Sequence, residues 1–386
     1  IVLLLLACTA SAIERVQLGW ASLEAEAWRA RDIELELDWS GAGRLSLSIG
    51  RLELGEQRLS DLRLVCAELE LLTEAAHCRK GTLALSSDWL EARDVPVSFD
   101  YRFDNRSLDV SLTRLPLAGG SLQLQLHQQA EAWRLDAGFQ DAQLAQLAAL
   151  ADRAGVKLPA LELAGTAAGR LKLRGGAQGL RDIDWQLDTR QAGYSNAEGS
   201  QAAEALALAS RGRATPRGGD WQLKASLEAR GGMLYSDPLY LEFSPAQPLQ
   251  LDAALRWRAA SGELQLETLA FAQPGVTRGR LAGVLAPGAE RPLQRLEVAL
   301  DEALLPAFYA TWVQPWLAGS TLEKLDTDGR LRGRVQIEDG RPRSAKLVLE
   351  RVSFAERSGL FGVQEEGEDI LVHSIARAEA LELLAD

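Results

Sequence analysis

The chain has 386 residues, 47% hydrophobic and 25% charged, a balance that excludes a disordered segment and is long enough for two or more domains' worth of core. Lys and Arg total 42 against 54 Asp and Glu, giving a formal charge of -12 with the two signs interleaved, so no nucleic-acid partner is expected. No run of like charges marks an acidic or basic tail.

Residues 1–12 carry no charge and open on a Val-Leu run, and polar sequence begins at Glu14. The segment reads as the end of a signal peptide or membrane anchor. Ala10-Ser11-Ala12 has the small-x-small form of a signal-peptidase site, which would make Ile13 the mature start. Leu5-Leu6-Ala7-Cys8 fits a lipoprotein box loosely, and the same residues could close an uncleaved anchor. All three alternatives send the remaining chain out of the cytosol. Apart from Cys8 the only cysteines are Cys66 and Cys78, most simply one disulfide across a local hairpin or loop in an oxidising compartment. A redox or metal site is the alternative, but the chain has no Cys-x-x-Cys and no usable His set.

From there the dominant signal is strict alternation of apolar and polar residues, as in Ile33-Glu34-Leu35-Glu36-Leu37-Asp38-Trp39 and Trp221-Gln222-Leu223-Lys224-Ala225-Ser226-Leu227-Glu228. A repeat of two puts every second side chain on the same sheet face, leaving one face apolar and one wet. Strands are predicted from Leu45 through Phe139, separated by turn clusters such as Asp104-Asn105-Arg106-Ser107 and Ala118-Gly119-Gly120. Between Asp141 and Ala154 the apolar residues Leu144, Leu147, Ala148, Leu150 and Ala151 change to helical spacing, with Asp141 as N-cap and Gly155 just past the end.

Strands resume at Leu161 and run to Leu300. A second helix is predicted over roughly Glu302 to Leu317, with Leu305, Phe308, Tyr309, Trp312 and Trp316 on one face and no charge from Ala303 to Leu322. It reads as a cap over the end of a repeat or, alternatively, as a membrane-interface element; Pro306 and Pro315 argue against a spanning helix. Strands return from Gly329 to Phe354. Each helix is followed by similar sequence, Gly169-Arg170-Leu171-Lys172-Leu173 after the first and Gly329-Arg330-Leu331-Arg332-Gly333-Arg334-Val335 after the second, which suggests a repeated helix-plus-strands unit. The implied divisions are 1–12, a first β-segment 13–155, a second repeat 156–318, and the start of a third at 319–386.

An N-terminal export or membrane segment followed by Leu-rich alternating strands and Gly-x-Leu-x-Gly-x-Val pieces resembles the AsmA-like proteins of the Gram-negative envelope, including YhdP, YdbH and TamB relatives. The stretch from Asp326 to Gly340, with Ala345 to Phe354 after it, carries the resemblance best. It implies an all-β, mainly antiparallel fold with a few short helices, an elongated and curved repeating β-groove, periplasmic and anchored to the inner membrane. It further implies a non-enzymatic function, carrying phospholipid acyl chains along the apolar groove between inner and outer membrane, with an outer-membrane or envelope protein as a further partner. The physics agrees: two helices cannot cover the apolar face of about twenty strands, so curvature and bound acyl chains would have to enclose it.

The residues expected to line the groove are the in-phase apolar ones. Leu122, Leu124 and Leu126 come first, then Leu171 and Leu173, then Trp185 and Leu187. Leu223, Leu227, Leu249, Leu251, Leu255 and Trp257 follow, with Leu264 and Leu266 beyond them and Val335, Ile337, Leu347 and Leu349 after the second helix. The alternatives are an envelope scaffold or outer-membrane assembly factor with a dry β core, since alternation marks any sheet with one packed face, and a transmembrane barrel, against which stand uneven strands and few aromatics. Catalytic material is scarce. His77, His127 and His373 are far apart in sequence, Asp326-Thr327-Asp328-Gly329 lacks the outer ligands of a calcium loop, and no phosphate loop occurs. Only a pair of well-placed acids, as in a glycosidase, remains formally available. No cofactor is expected.

Overall fold

Strand after strand follows the alternation: the chain is all-β and antiparallel with a few short helices. The computed structural model describes residues 14–25, 28–39, 43–55, 57–87, 90–153, 155, 159–287, 291–356, 362–364 and 370–374. The predicted leader or anchor lies outside them. Two compact units emerge, one of residues 1–139 with 175–177 and the other of residues 140–174 with 178–386.

The first unit is a meander of β1 (Arg15–Ala25), β2 (Trp28–Asp38), β3 (Arg44–Leu54), β4 (Gln57–Cys66), β5 (Leu69–Leu71), β6 (Ala75–Ser86), β7 (Glu91–Arg102), β8 (Ser107–Leu117), β9 (Gly120–Gln129) and β10 (Ala132–Gln143), the last running on past its boundary. Each strand pairs with the next, except that β4 and β5 both pair with β6. Among the described residues β1 pairs only with β2, so the sheet is open at that edge.

Within these strands the alternation slips once. Ala30-Arg31-Asp32-Ile33 in β2, Leu59-Ser60-Asp61-Leu62 in β4, Ala92-Arg93-Asp94-Val95 in β7 and Leu112-Thr113-Arg114-Leu115 in β8 each place two polar residues between apolar ones. In each the second polar residue has positive φ, between 52° and 59°. A left-handed residue turns the chain so that the next side chain returns to the face the alternation would have left, and Asp tolerates that conformation better than most residues. In β4, β7 and β8 the crease coincides with a register shift of the ladder. Burial follows the creases: Ala30, Ile33, Ala92, Val95 and Leu115 are all buried, Val95 to 2% exposure.

Cys66 at the end of β4 and Cys78 in β6 are bonded, with Cα atoms 5.9 Å apart, and both are buried against Leu69, Leu37, Leu45 and Phe99. The bridge closes a loop of 12 residues. Replacing both cysteines by Ala is expected to lower the unfolding free energy of this unit by about 3 kcal/mol through the entropy regained by the unfolded chain, read as a lower urea midpoint.

The second unit contains α1 (Leu144–Arg153), β11 (Leu161–Gly176), β12 (Gly179–Asn196), β13 (Gln201–Arg217), β14 (Asp220–Ser236), β15 (Leu239–Phe243), β16 (Leu249–Arg258), β17 (Glu263–Gln273), β18 (Thr277–Leu285), β19 (Leu293–Leu305), β20 (Leu325–Glu338), β21 (Arg341–Glu356), β22 (Gly362–Gln364) and β23 (Ile370–Ser374). Strands β12 to β14 and β16 to β21 form successive antiparallel ladders, β15 pairing with one end of β14 and β16 with the other. The creases recur before Ala192, Leu206 and Val352, where Gln191, Ala205 and Arg351 have φ near 50°, and those three residues are buried.

Both predicted helices shift. Asp141 is no N-cap: it lies inside β10 with φ 54°, a crease residue before buried Ala142, and the helix begins at Leu144. Gly155, with φ 81°, ends the helix as expected. Residues 302–305 belong to β19, because Glu302 and Ala303 are held by β18 on one side and Ala303 to Leu305 by β20 on the other. The helical segment starts only after Pro306, as a π turn at Tyr309–Val313 and 3₁₀ turns at Gln314–Leu317 and Thr321–Lys324. Gly165 in β11 and Gly329 in β20 share positive φ, and a Cβ on either would meet the next strand's backbone, at 2.3 Å from the Gln191 carbonyl oxygen and 2.5 Å from that of Arg351. Gly232 in β14 shares both features, with φ 94° and a Cβ that would fall 2.5 Å from the Ala205 carbonyl oxygen.

Candidate functional site: an apolar sheet face

Register decides which side chains share a face, since residues directly opposite in an antiparallel ladder project to the same side. In the second unit three rows can be followed from β12 to β21. One runs Ile183, Ala214, Leu223, Leu255, Leu266, Gly283, Leu296, Ile337, Pro342. The next runs Trp185, Gly212, Ala225, Ala253, Leu269, Leu281, Val298, Val335, Ala345. The third runs Leu187, Ser210, Leu227, Leu251, Phe271, Gly279, Leu300, Gly333, Leu347. Ser210 is the one polar side chain in them. Trp221, Trp257, Leu264 and Leu285 form a further short row beside the first.

The opposite face carries the charges, in pairs set among Ala, Ser and Gln. Arg213 donates to both carboxylate oxygens of Asp184, at 2.6 and 2.9 Å, and holds that carboxyl below its ordinary range; Arg230 donates twice to Glu228 Oε2, at 2.8 and 2.6 Å, and lowers that carboxyl likewise. Arg256 pairs with Glu267, Arg280 with Asp301 and Arg334 with Glu297, at 3.2, 3.3 and 3.2 Å. Such exposed pairs stabilise little individually. Together they fix which face is wet.

The apolar face differs along its strands. At one end the helical segment packs on it: Trp312 joins the cluster of Ala192, Ala203, Leu206, Ala229, Leu241 and Phe243, and its Nε1 donates to Gln273 Oε1 at 3.3 Å. Tyr309 is buried with Leu305 and Val352, and its hydroxyl donates to the Leu322 carbonyl. This end is a dry core. Over the three rows nothing comparable among the described residues lies on the face. Apart from Ala214 and Gly279, every residue in them keeps solvent contact, and Trp257 beside them is 36% exposed. A second protein layer would bury such side chains almost completely.

Of the residues expected to line a groove, Trp185, Leu187, Leu223, Leu227, Leu251, Leu255, Trp257, Leu264, Leu266, Val335, Ile337 and Leu347 fall on this open half of the face. Leu249 and Leu349 pack instead beside the helical segment, at the covered end. Leu171 and Leu173 lie partly exposed in β11. In the first unit Leu124 is opposite Leu112 and Leu126 opposite Val110, while Leu122 and Leu124 pack against the Ala92, Val95 and Leu115 cluster. Rows also run there from β1, as in Leu18, Leu35, Leu47, Leu64, Leu83 and Val95. Sequence reasoning missed Leu269 and Phe271 because β17 slips phase at Glu267-Thr268. The missing signal was that three-residue spacing.

His77 and His127, far apart in sequence, are nearer in the fold. His77, Asp100, Asp109 and His127 occupy one row on the polar face of the first unit, with His77 Nδ1 2.7 Å from Asp100 and His127 Nδ1 2.5 Å from Asp109. Among the described residues no group of three or more His, Cys, Asp or Glu has the arrangement of a metal site, and no helix is long and apolar enough to cross a membrane. Comparison with protein-family models, with curated proteins and with solved structures returned no match.

Proposed function

We propose that the open half of the apolar face binds the acyl chains of phospholipids, and that the protein is a non-enzymatic lipid carrier of the periplasm, working between inner and outer membrane as its resemblance to AsmA-like proteins suggests. The observation that carries this reading is the set of in-register apolar rows that keep solvent contact. A sheet face of that kind holds apolar surface against water and gains free energy whenever something apolar covers it. Each methylene laid against it gains roughly 0.8 kcal/mol, so ten would gain about 8 kcal/mol before the costs of association. With almost no polar group on the face, a chain can move along it without breaking fixed hydrogen bonds.

The covered end and the crease clusters favour a second reading, a scaffold or assembly factor of the envelope whose apolar face meets another protein. Titration of the purified protein with a fluorescent phospholipid separates the two. Saturable binding with a blue-shifted emission is expected; a folded protein that leaves the probe in water points to the scaffold.

A further inference from the structure

Ser210 is out of character in three rows otherwise free of polar side chains, and its surroundings explain it. Trp185 lies directly opposite Gly212, two residues further along β13. Its Nε1 donates to Ser210 Oγ at 3.2 Å, and a Cβ on Gly212 would fall 2.2 Å from the ring. The indole is therefore laid flat across β13, seated on a residue without a side chain and tied at its polar edge. Side chains on strands ordinarily stand away from the sheet. The same device occurs without the tie at Phe271, whose ring would lie 2.6 Å from a Cβ on Gly279, and in the first unit at Trp133, 2.3 Å from one on Gly175.

We infer that Ser210 and Gly212 are positioning residues that hold Trp185 down, so that the largest side chain of the three rows forms a low step over which an acyl chain lies. This inference rests on the lipid-binding reading above. An upright indole would stand across all three rows at β12 and exclude a chain from that strand. The tie matters because the ring is partly exposed and the bond to Ser210 Oγ holds its polar edge. The glycine matters because any side chain there would lift the ring.

The test is a pair of isosteric variants, Ser210→Thr and Ser210→Val, which share shape and β-branching and differ only in the hydroxyl. Phospholipid carried by each, purified without detergent, is extracted and quantified, and melting temperatures are compared. Thr is expected to load as the wild type does. Val is expected to load about fivefold less, the population shift that loss of one such hydrogen bond produces, at an unchanged melting temperature. Trp185→Leu in the Ser210→Val background is expected to restore loading, which a merely structural role of Ser210 would not do. Equal loading of Thr and Val variants beside a loaded wild type overturns this inference alone. A wild type without phospholipid overturns the lipid reading and this one with it.

Discussion

Replacing Leu251 with Asp is expected to remove most bound phospholipid while leaving the protein folded. Leu251 sits between Leu227 and Phe271 in the third row. It keeps solvent contact, so a carboxylate there can remain hydrated in the empty protein and the fold loses only part of a leucine's burial, under about 2 kcal/mol. An acyl chain lying across the same position would strip that water, a penalty of several kcal/mol for an ionised group with no partner. Binding should weaken on the order of a hundredfold or more. Leu266→Asp, in the first row, should behave alike. Gln250→Asp is the control, adjacent in sequence but on the charged face, and should bind as the wild type does. Equal lipid binding by folded Leu251→Asp and Gln250→Asp proteins would remove the assignment of the face.

The second large effect concerns the creases. Deleting Asp94 is expected to unfold the first unit, whereas Asp94→Gly should cost less than about 1 kcal/mol. Without that residue Val95, Val97, Phe99 and Tyr101 would project to the wrong face, or the ladders to β6 and β8 would both have to slip. Misplacing four such side chains, at roughly 1.5–3 kcal/mol each, approaches the whole stability of an ordinary domain. Asp94→Val tests the backbone term separately: a β-branched residue at φ 55° should cost about 1–2 kcal/mol. Urea unfolding followed by circular dichroism reads all three, and a deletion tolerated as well as the glycine variant would show that the crease does not set phase.

These two predictions divide along the line between what the sequence displays and what it hides. Where alternation runs unbroken, as from Trp221 to Glu228, it names both face and strand, and the fold class and most open-half residues follow from it. Where it slips, two consecutive polar residues look like a turn or a helix start. Asp141 shows why: Asp suits an N-cap and a left-handed strand residue equally well, and only the ladder tells them apart. The spacing of Leu304 and Leu305 likewise suits a helix, but their backbone is held by the neighbouring strand β20. The division of the apolar face into a covered end and an open half lies deeper still. It depends on where Trp312 lands, among residues from Ala192 to Phe243, far earlier in the chain.

The central claim is that the open half of this face holds lipid. Mass spectrometry of organic extracts from protein purified without detergent addresses it most directly. The account predicts phospholipids in reproducible molar ratio to the wild-type chain, strongly reduced in Leu251→Asp and retained in Gln250→Asp; extracts of folded wild-type protein free of phospholipid would contradict it.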